Sequence, residues 1–445
     1  MVHGAADIAM NAFDPRRFGA RIDEQYRIGK AKEDYSLRHE IPFPHQDRPA
    51  FRPSHSKLTP LYETLKNKGA VYEDIYGWER PYWYAADGVA QKHIESFRRT
   101  TLHNIVGNEV KGLRQHAGIA DMSPFAKLEI IGDDAESYLS RTSSNHPPPN
   151  IGDIVLSYFV GKNGRLEGEA TIVKLDENRF YVVYAAAHEA ALLNWLKEQR
   201  QNDESLSFNN LSEKIGVILL AGPASRKILA DCTETALDNK NFRWLSGRYI
   251  NVGGVDEVLA LRVSYTGELA WELHVPMAGM LAVYEALLAA GNKKPVHVGT
   301  AALNAMRMEK AYRSGHEITN EVTLAEADVL RFSRNKRFQG DTISAAPVTK
   351  WGLAYLSVAE TQEGEIIADP QGGESVWHEG QAVGQISSAG YGYAVGHALA
   401  FAYIPPALNK IGTKLEIMIL GKRRDAVITA QCVYDKENLR PRLGN

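Results

Sequence analysis

Apolar and polar positions in this chain fall into short alternating runs more often than into long helical ones. Residues 154–160, 165–173 and 179–185 read as extended segments, separated by the turn residues Lys162-Asn163-Gly164 and Asp176-Glu177-Asn178. That spacing predicts a three-stranded antiparallel meander. A second hairpin is predicted from residues 258–265 and 269–275, joined by Thr266-Gly267-Glu268. Helical periodicity is confined to residues 61–65, "HEAALLNWLKEQR", the stretch after Gly222-Pro223, and residues 278–290 and 300–311. "EIIGDDAESYLSRTSS" reads as a strand entering a helix, with Asp133 as N-cap and Asp134 and Glu136 in the first turn. Prolines at 147–149 stop it.

The same pattern divides the chain. Residues 1–56 mix charge, proline and aromatics without a sustained period, which predicts an extended N-terminal arm. Residues 57–345 carry strand and helix signals together and are expected to form a core of two α+β subdomains. Aromatics crowd between Tyr72 and Tyr84, where they suit a core and also, more weakly, an aromatic ligand. From about residue 346 to the end, short β-rich runs broken by glycine predict a small antiparallel barrel or jelly roll. The fold class expected is α+β.

Composition narrows the function. With 445 residues, 44% hydrophobic and 24% charged, the chain can bury a large core. A formal net charge of -3 leaves no cationic surplus for a phosphate backbone or an anionic bilayer, so nucleic acid and membranes are not expected partners. Cys232 and Cys432 sit in no metal-like or disulfide-like spacing, which points to a reducing, cytoplasmic setting. The amino terminus lacks a signal-peptide pattern, and no apolar run approaches the roughly 18 residues of a membrane span.

Common chemical signatures are missing: no GxGxxG between strand and helix, no Walker loop, no HExxH and no GxSxG. Gly390-Tyr-Gly392-Tyr-Ala-Val-Gly396 has the wrong spacing for a dinucleotide loop and reads as turns between barrel strands. No flavin, nicotinamide or metal site is visible. One stretch stands out. In "GRLEGEATIV", period-two geometry puts Arg165, Glu167, Glu169 and Thr171 on one face and Leu166, Gly168, Ala170 and Ile172 on the other. The acidic face suits solvent or a site. Gly168 gives up packing inside a strand, as happens where a ligand or another backbone approaches closely.

Seven ordered blocks carry a resemblance. "AGIADMSPFAKLEIIGDDAESYL", "GRLEGEATIVKLDENRFYVV", "LLAGPASRKIL", "VLALRVSYTGELAWELHV", "LNAMRMEKAYRSG", "EADVLRFSRNKRFQG" and "GQISSAGYGYAVGHALAFAYIP" resemble, in order, the folate-binding aminomethyltransferase family. That family includes the glycine-cleavage T-protein, the C-terminal halves of dimethylglycine oxidase and sarcosine dehydrogenase, and tetrahydrofolate-dependent demethylases. "DIAMNAFDPRRFG" and "GAVYEDIYGWERPYWYA" resemble the segment that joins the flavin half of such enzymes to the folate half.

The resemblance implies a three-domain cloverleaf around a central folate channel, closed by a β-barrel domain, with tetrahydrofolate as co-substrate. It implies a one-carbon transferase moving a methyl or methylene group to N5 of tetrahydrofolate. The donor would be a small methylated, methoxy or methylenedioxy compound, some of them aromatic, or an iminium from a flavoprotein subunit. Aligned on Gly164 and Thr171-Ile172-Val173, the family's catalytic aspartate falls on Glu169, one methylene longer; Glu167 stays secondary. The family's pterin-holding tyrosine and glutamate match Tyr265 and Glu272. A carboxylate can accept paired N–H donors from a pterin edge, and an aromatic ring can cover the heterocycle. Arg307 would organise this acid or meet a folate carboxylate, or else form a structural ion pair. An upstream aromatic of relatives falls on Leu156, leaving Tyr158 as the wall of the site, and a T-protein arginine is replaced by Leu303. Two rivals remain: a non-catalytic folate-binding or assembly subunit of a flavin-dependent dehydrogenase, and a carbohydrate-binding β protein, which explains the tail and none of the earlier blocks.

Overall fold

The computed structural model describes residues 24–37, 57–92, 96–335, 349–361 and 367–443. Most of the 1–56 arm and the predicted boundary near 345 lie outside the described residues. Within the arm, α1 (Glu24–Leu37) is helical, which corrects the extended reading there. Its sequence is free of proline, and half of it is Glu, Gln, Lys, Arg or Ala, all good helix formers.

From there, α2 (Tyr62–Asn67) leads into the hairpin β1 (Ala70–Ile75) and β2 (Trp78–Tyr84). Tyr72, Trp78, Tyr82, Trp83 and Tyr84 are all buried, so this aromatic crowd is core. α3 (Thr101–Gln115) starts where the Thr100 side chain accepts from Leu102 N–H, and it buries Val106, Val110 and Leu113 on one stripe. β3 (Gly118–Asp121), β4 (Ala126–Ile131) and α4 (Ala135–Thr142) follow. The residue before α4 is Asp134, not Asp133, and neither acid caps the helix. Asp134 Oδ2 accepts from Ser205 N–H, and Asp133 Oδ1 from Asn178 Nδ2, so the neighbouring loops take both.

The predicted meander is present as β5 (Ile154–Val160), β6 (Leu166–Asp176) and β7 (Arg179–Tyr184). α5 (Glu189–Gln199), β8 (Ser207–Asn210), β9 (Ile215–Ala221) and α6 (Ser225–Ala230) come next, then β10 (Gly247–Val252), β11 (Val255–Leu261) and β12 (Ala270–Pro276). The second hairpin is looser than its sequence suggests. β11 stops at Leu261 because buried Arg262 turns away, its backbone N–H donating to Ser246 O and its guanidinium to Phe242 O. α7 (Met280–Ala289), β13 (Val296–His297) and α8 (Thr300–Glu309) complete this part.

Among the described residues, β1 and β2 stay a separate hairpin and the other strands build two sheets, the first mixed because β13 runs parallel to β3, the second antiparallel. One sheet runs β10-β11-β12-β9-β3-β13, the other β5-β6-β7-β4-β8. β14 (Gly352–Val358), β15 (Ser375–His378), β16 (Gln381–Gly392), β17 (His397–Ile404), β18 (Lys414–Ile419) and β19 (Lys422–Ile428) close into a barrel, which decides between barrel and jelly roll. Leu356, Val376, Ile386, Ile417 and Ile428 fill it. Gly390 and Gly392 end β16, and Gly396, at φ +77°, finishes the turn into β17. The barrel docks on α8, where Tyr355 hydroxyl donates to Met308 O. The expected α+β class with a C-terminal barrel therefore holds. No helix of the described residues is long and apolar enough to cross a membrane.

Candidate functional site

The site lies where the two sheets face each other. On β6, Glu169, Thr171 and Val173 share one face, paired across the ladder with Tyr158, Leu156 and Ile154 of β5. Val173 and Ile154 pack, with Tyr181 and Val183 of β7, against Leu259 and Leu261 of β11. On β12, Glu272 pairs with Leu261 and His274 with Leu259. Glu169 and Glu272 therefore stand on the sides of the two sheets that face each other.

Glu169 is half-buried, and the Tyr158 hydroxyl hydrogen-bonds its carboxylate. Burial pushes the Glu169 carboxyl up to about 6, while the Tyr158 hydrogen bond and the Arg313 guanidinium pull it back. Tyr158 is held well above the usual phenol range by burial and by that neighbouring carboxylate. Tyr265 belongs to the same neighbourhood. Burial raises its hydroxyl, and the charges of Arg307, Glu317 and Glu169 all act on it. Its ring stacks on Tyr312, centroids 6.4 Å apart and planes 29° from parallel.

Glu272 is 14% exposed, with its Oε2 3.6 Å from His274 Nε2. Its neighbours are His274 and Tyr181, whereas Glu169, Tyr158, Tyr265 and Arg307 form a separate group.

Arg307 is 1% exposed and does not project free. It pairs with Glu317 at 3.4 Å and also donates to Asn304 Oδ1, Tyr312 O and Ser388 Oγ, tying α8 to the barrel. The structural ion pair is thus the reading of Arg307 that the geometry carries. Glu317 opposes its own burial through Arg307 and the Ser387 and Ser388 hydroxyls, which hold its carboxyl below the usual range.

Gly168 is explained differently from its sequence reading. A Cβ there would meet Leu192 of α5 at 3.2 Å, on the side away from Glu169, so a core side chain and not a ligand approaches it. Glu167 folds over Gly161 of the preceding turn. Sequence reasoning missed Glu317, Arg313, Tyr181 and His274. Glu317 has no periodic signal around it, and its partners Ser387 and Ser388 lie in a different body; His274 was legible as the residue two places beyond Glu272 on the same face.

A cavity of about 260 Å³ opens beside the barrel between Asp328, Tyr355, Asn409 and Gln431, and Glu169, Glu272 and Glu317 do not line it. Its carboxylate, Asp328, is already held by Arg313 and Gln431. The described residues contain no cluster of His, Cys, Asp and Glu able to hold a metal. The facing sheets instead offer two partly exposed carboxylates, with a buried phenol and a second ring beside Glu169. That donor and acceptor set suits a flat polar heterocycle carrying N–H groups and a basic nitrogen.

Comparison with known proteins shows the family and the fold. The GCVT N-terminal domain matches residues 61–337, and the glycine cleavage T-protein C-terminal barrel domain matches 354–435. The FAD dependent oxidoreductase central domain matches 3–55, the region of the arm. Mitochondrial dimethylglycine dehydrogenase of Mus musculus is 32% identical across all of this chain and 51% of its own length. Mitochondrial sarcosine dehydrogenase of Homo sapiens is 28% identical over 91% of this chain and 48% of its own. The chain spans about half the length of the curated relatives it matches. The crystal structure of the glycine cleavage system aminomethyltransferase T from Bartonella henselae shares the fold, with a TM-score of 0.72 and 22% identity over 86% of this chain and 99% of that one.

Proposed function

The chain belongs to the aminomethyltransferase family defined by the GCVT N-terminal domain, and on that premise we propose that it transfers a one-carbon unit from an N-methyl amine donor to N5 of tetrahydrofolate. The donor carbon arrives at the formaldehyde level, as an iminium made by a flavin-bearing domain or subunit, and leaves the demethylated amine behind. Its similarity to dimethylglycine and sarcosine dehydrogenases favours N-methylated amino acids over methoxy or methylenedioxy aromatics. The burial of the aromatic cluster at Tyr72 to Tyr84 removes what support the aromatic donors had. We take the three sequence divisions, arm to 56, core to 345 and barrel beyond, as the working domain scheme.

The single observation that carries the reading is the pair of acids on the facing sides of two packed sheets, with burial pushing the Glu169 carboxyl up to about 6. Tetrahydrofolate would supply the nucleophilic nitrogen and carry off the carbon. Glu272 would accept its paired N–H donors, and Tyr265 and Tyr158 would flank the ring. A carboxyl near 6 is mostly ionised at neutral pH, which lets Glu169 accept the proton released as the new C–N bond forms. Its charge also steadies a cationic iminium carbon. Arg307 acts from behind, fixing Glu317 and the floor beneath Tyr265.

The test supplies the chain with tetrahydrofolate and the flavin-oxidised product of dimethylglycine or sarcosine, and measures 5,10-methylene-tetrahydrofolate against free formaldehyde. Capture of the carbon on folate, dependent on this chain, is the expected result. Tight folate binding with all carbon released as formaldehyde would assign it instead to a non-catalytic folate-binding role.

A further inference from the structure

Tyr181 and His274 join the two sheets beside Glu272. The Tyr181 hydroxyl lies 3.0 Å from His274 Nδ1, and the rings meet edge to face at 5.4 Å. His274 is 1% exposed, and its Nε2 has no hydrogen-bond partner. That nitrogen is aimed at Glu272 Oε2, 3.6 Å away, slightly beyond hydrogen-bonding distance.

The tautomer follows from these contacts. Burial lowers the basicity of His274, although Glu272 opposes this, so the ring has one N–H to place. On Nδ1, that proton would leave an Nε2 lone pair facing a carboxylate. On Nε2, it points at Glu272 while Tyr181 O–H donates to Nδ1, and every buried polar atom finds a complementary neighbour. The remaining few tenths of an ångström are of the size that closes when a ligand draws the carboxylate into place.

Resting on the folate reading above, we infer that His274, oriented by Tyr181, is a positioning residue that fixes the plane of the Glu272 carboxylate and so selects a heterocycle presenting two adjacent N–H donors. A carboxylate held by one N–H from behind still offers lone pairs on both oxygens to a ligand. Left to rotate, it would accept a single donor nearly as well and lose the discrimination.

Calorimetric titration of the full chain with tetrahydrofolate, and with its analogue bearing a methyl in place of the 2-amino group, reads this directly. The native protein should bind the analogue at least roughly tenfold more weakly, as expected when a buried acceptor loses its donor. His274→Leu should weaken tetrahydrofolate by about the same factor and shrink the discrimination to less than about threefold. His274→Gln, whose amide N–H can replace Nε2–H, should restore discrimination, and Tyr181→Phe should reduce it by freeing the imidazole proton to move to Nδ1. Thermal melts establish which variants are folded; if His274→Leu is not, Tyr181→Phe and His274→Gln carry the test. Unchanged discrimination in folded His274→Leu or Tyr181→Phe overturns the inference and leaves the folate reading intact. Native protein that binds neither compound overturns both.

Discussion

Tyr158 stands directly opposite Glu169 on the β5–β6 ladder, its hydroxyl hydrogen-bonded to the carboxylate. Burial raises the pKa of the acid assigned to proton transfer, and Tyr158 opposes that rise. The consequences can be measured separately.

Removing the acid should remove the chemistry. Glu169→Ala is expected to lower the rate of one-carbon capture by at least roughly a hundredfold, the low end for a positioned proton acceptor, with tetrahydrofolate affinity little changed. Single-turnover formation of methylene-tetrahydrofolate is the readout.

Removing only the phenol should move the pH dependence. A base whose carboxyl titrates at about 6 gives an acid limb there, with activity rising as pH increases through it. The Tyr158 hydrogen bond favours the ionised form, so Tyr158→Phe should shift that limb to higher pH by on the order of one unit. A rate profile between pH 5 and 9 checks both position and direction.

The same acidity implies a stability cost. The folded state raises Glu169 from 4.5 to about 6, so folding favours its protonated form. That advantage is complete below the unfolded value and is lost as pH rises through the folded one, leaving a penalty of about 2 kcal/mol at neutral pH. Glu169→Gln should therefore raise the melting temperature at pH 7.5 and give no such gain at pH 4. Melts at the two pH values compare the variants.

Arg307 should behave as a scaffold. Arg307→Met leaves the buried Glu317 carboxylate without its guanidinium and is expected to cost about 3–5 kcal/mol. Denaturant unfolding should show this loss with or without folate present. A substitution that merely weakened ligand binding would show it only with folate.

Much of this was legible in the chain. The turn residues at 162–164 and 176–178 located the meander to within a few residues, because hairpin turns have strict chemistry. Period two placed Glu169 and Gly168 on opposite faces correctly. What the alternation could not reveal was which face a second sheet would cover, so Gly168 looked like the approach side when it is the α5 side. α3 is missing from the sequence reading, although Val106, Val110 and Leu113 follow a Thr100 cap at helical spacing. Glu317 was invisible for a deeper reason: its ion pair and serine contacts join α8 to the barrel, and no local pattern encodes a contact across some 70 residues. Roles for Glu169, Tyr265 and Glu272 came from resemblance, and the structure adds that Glu169 and Glu272 stand on the facing sides of two sheets.

The central claim is that tetrahydrofolate binds between those facing sheets, gripped by Glu272 and presented to Glu169. Calorimetric titration of the native chain, Glu272→Gln and Glu169→Gln with tetrahydrofolate tests it most directly. The account predicts clear binding by the native chain, at least roughly tenfold weaker binding by Glu272→Gln as a charge-assisted hydrogen bond is lost, and near-native affinity for Glu169→Gln. No heat with the native chain, or full affinity in Glu272→Gln, would contradict it.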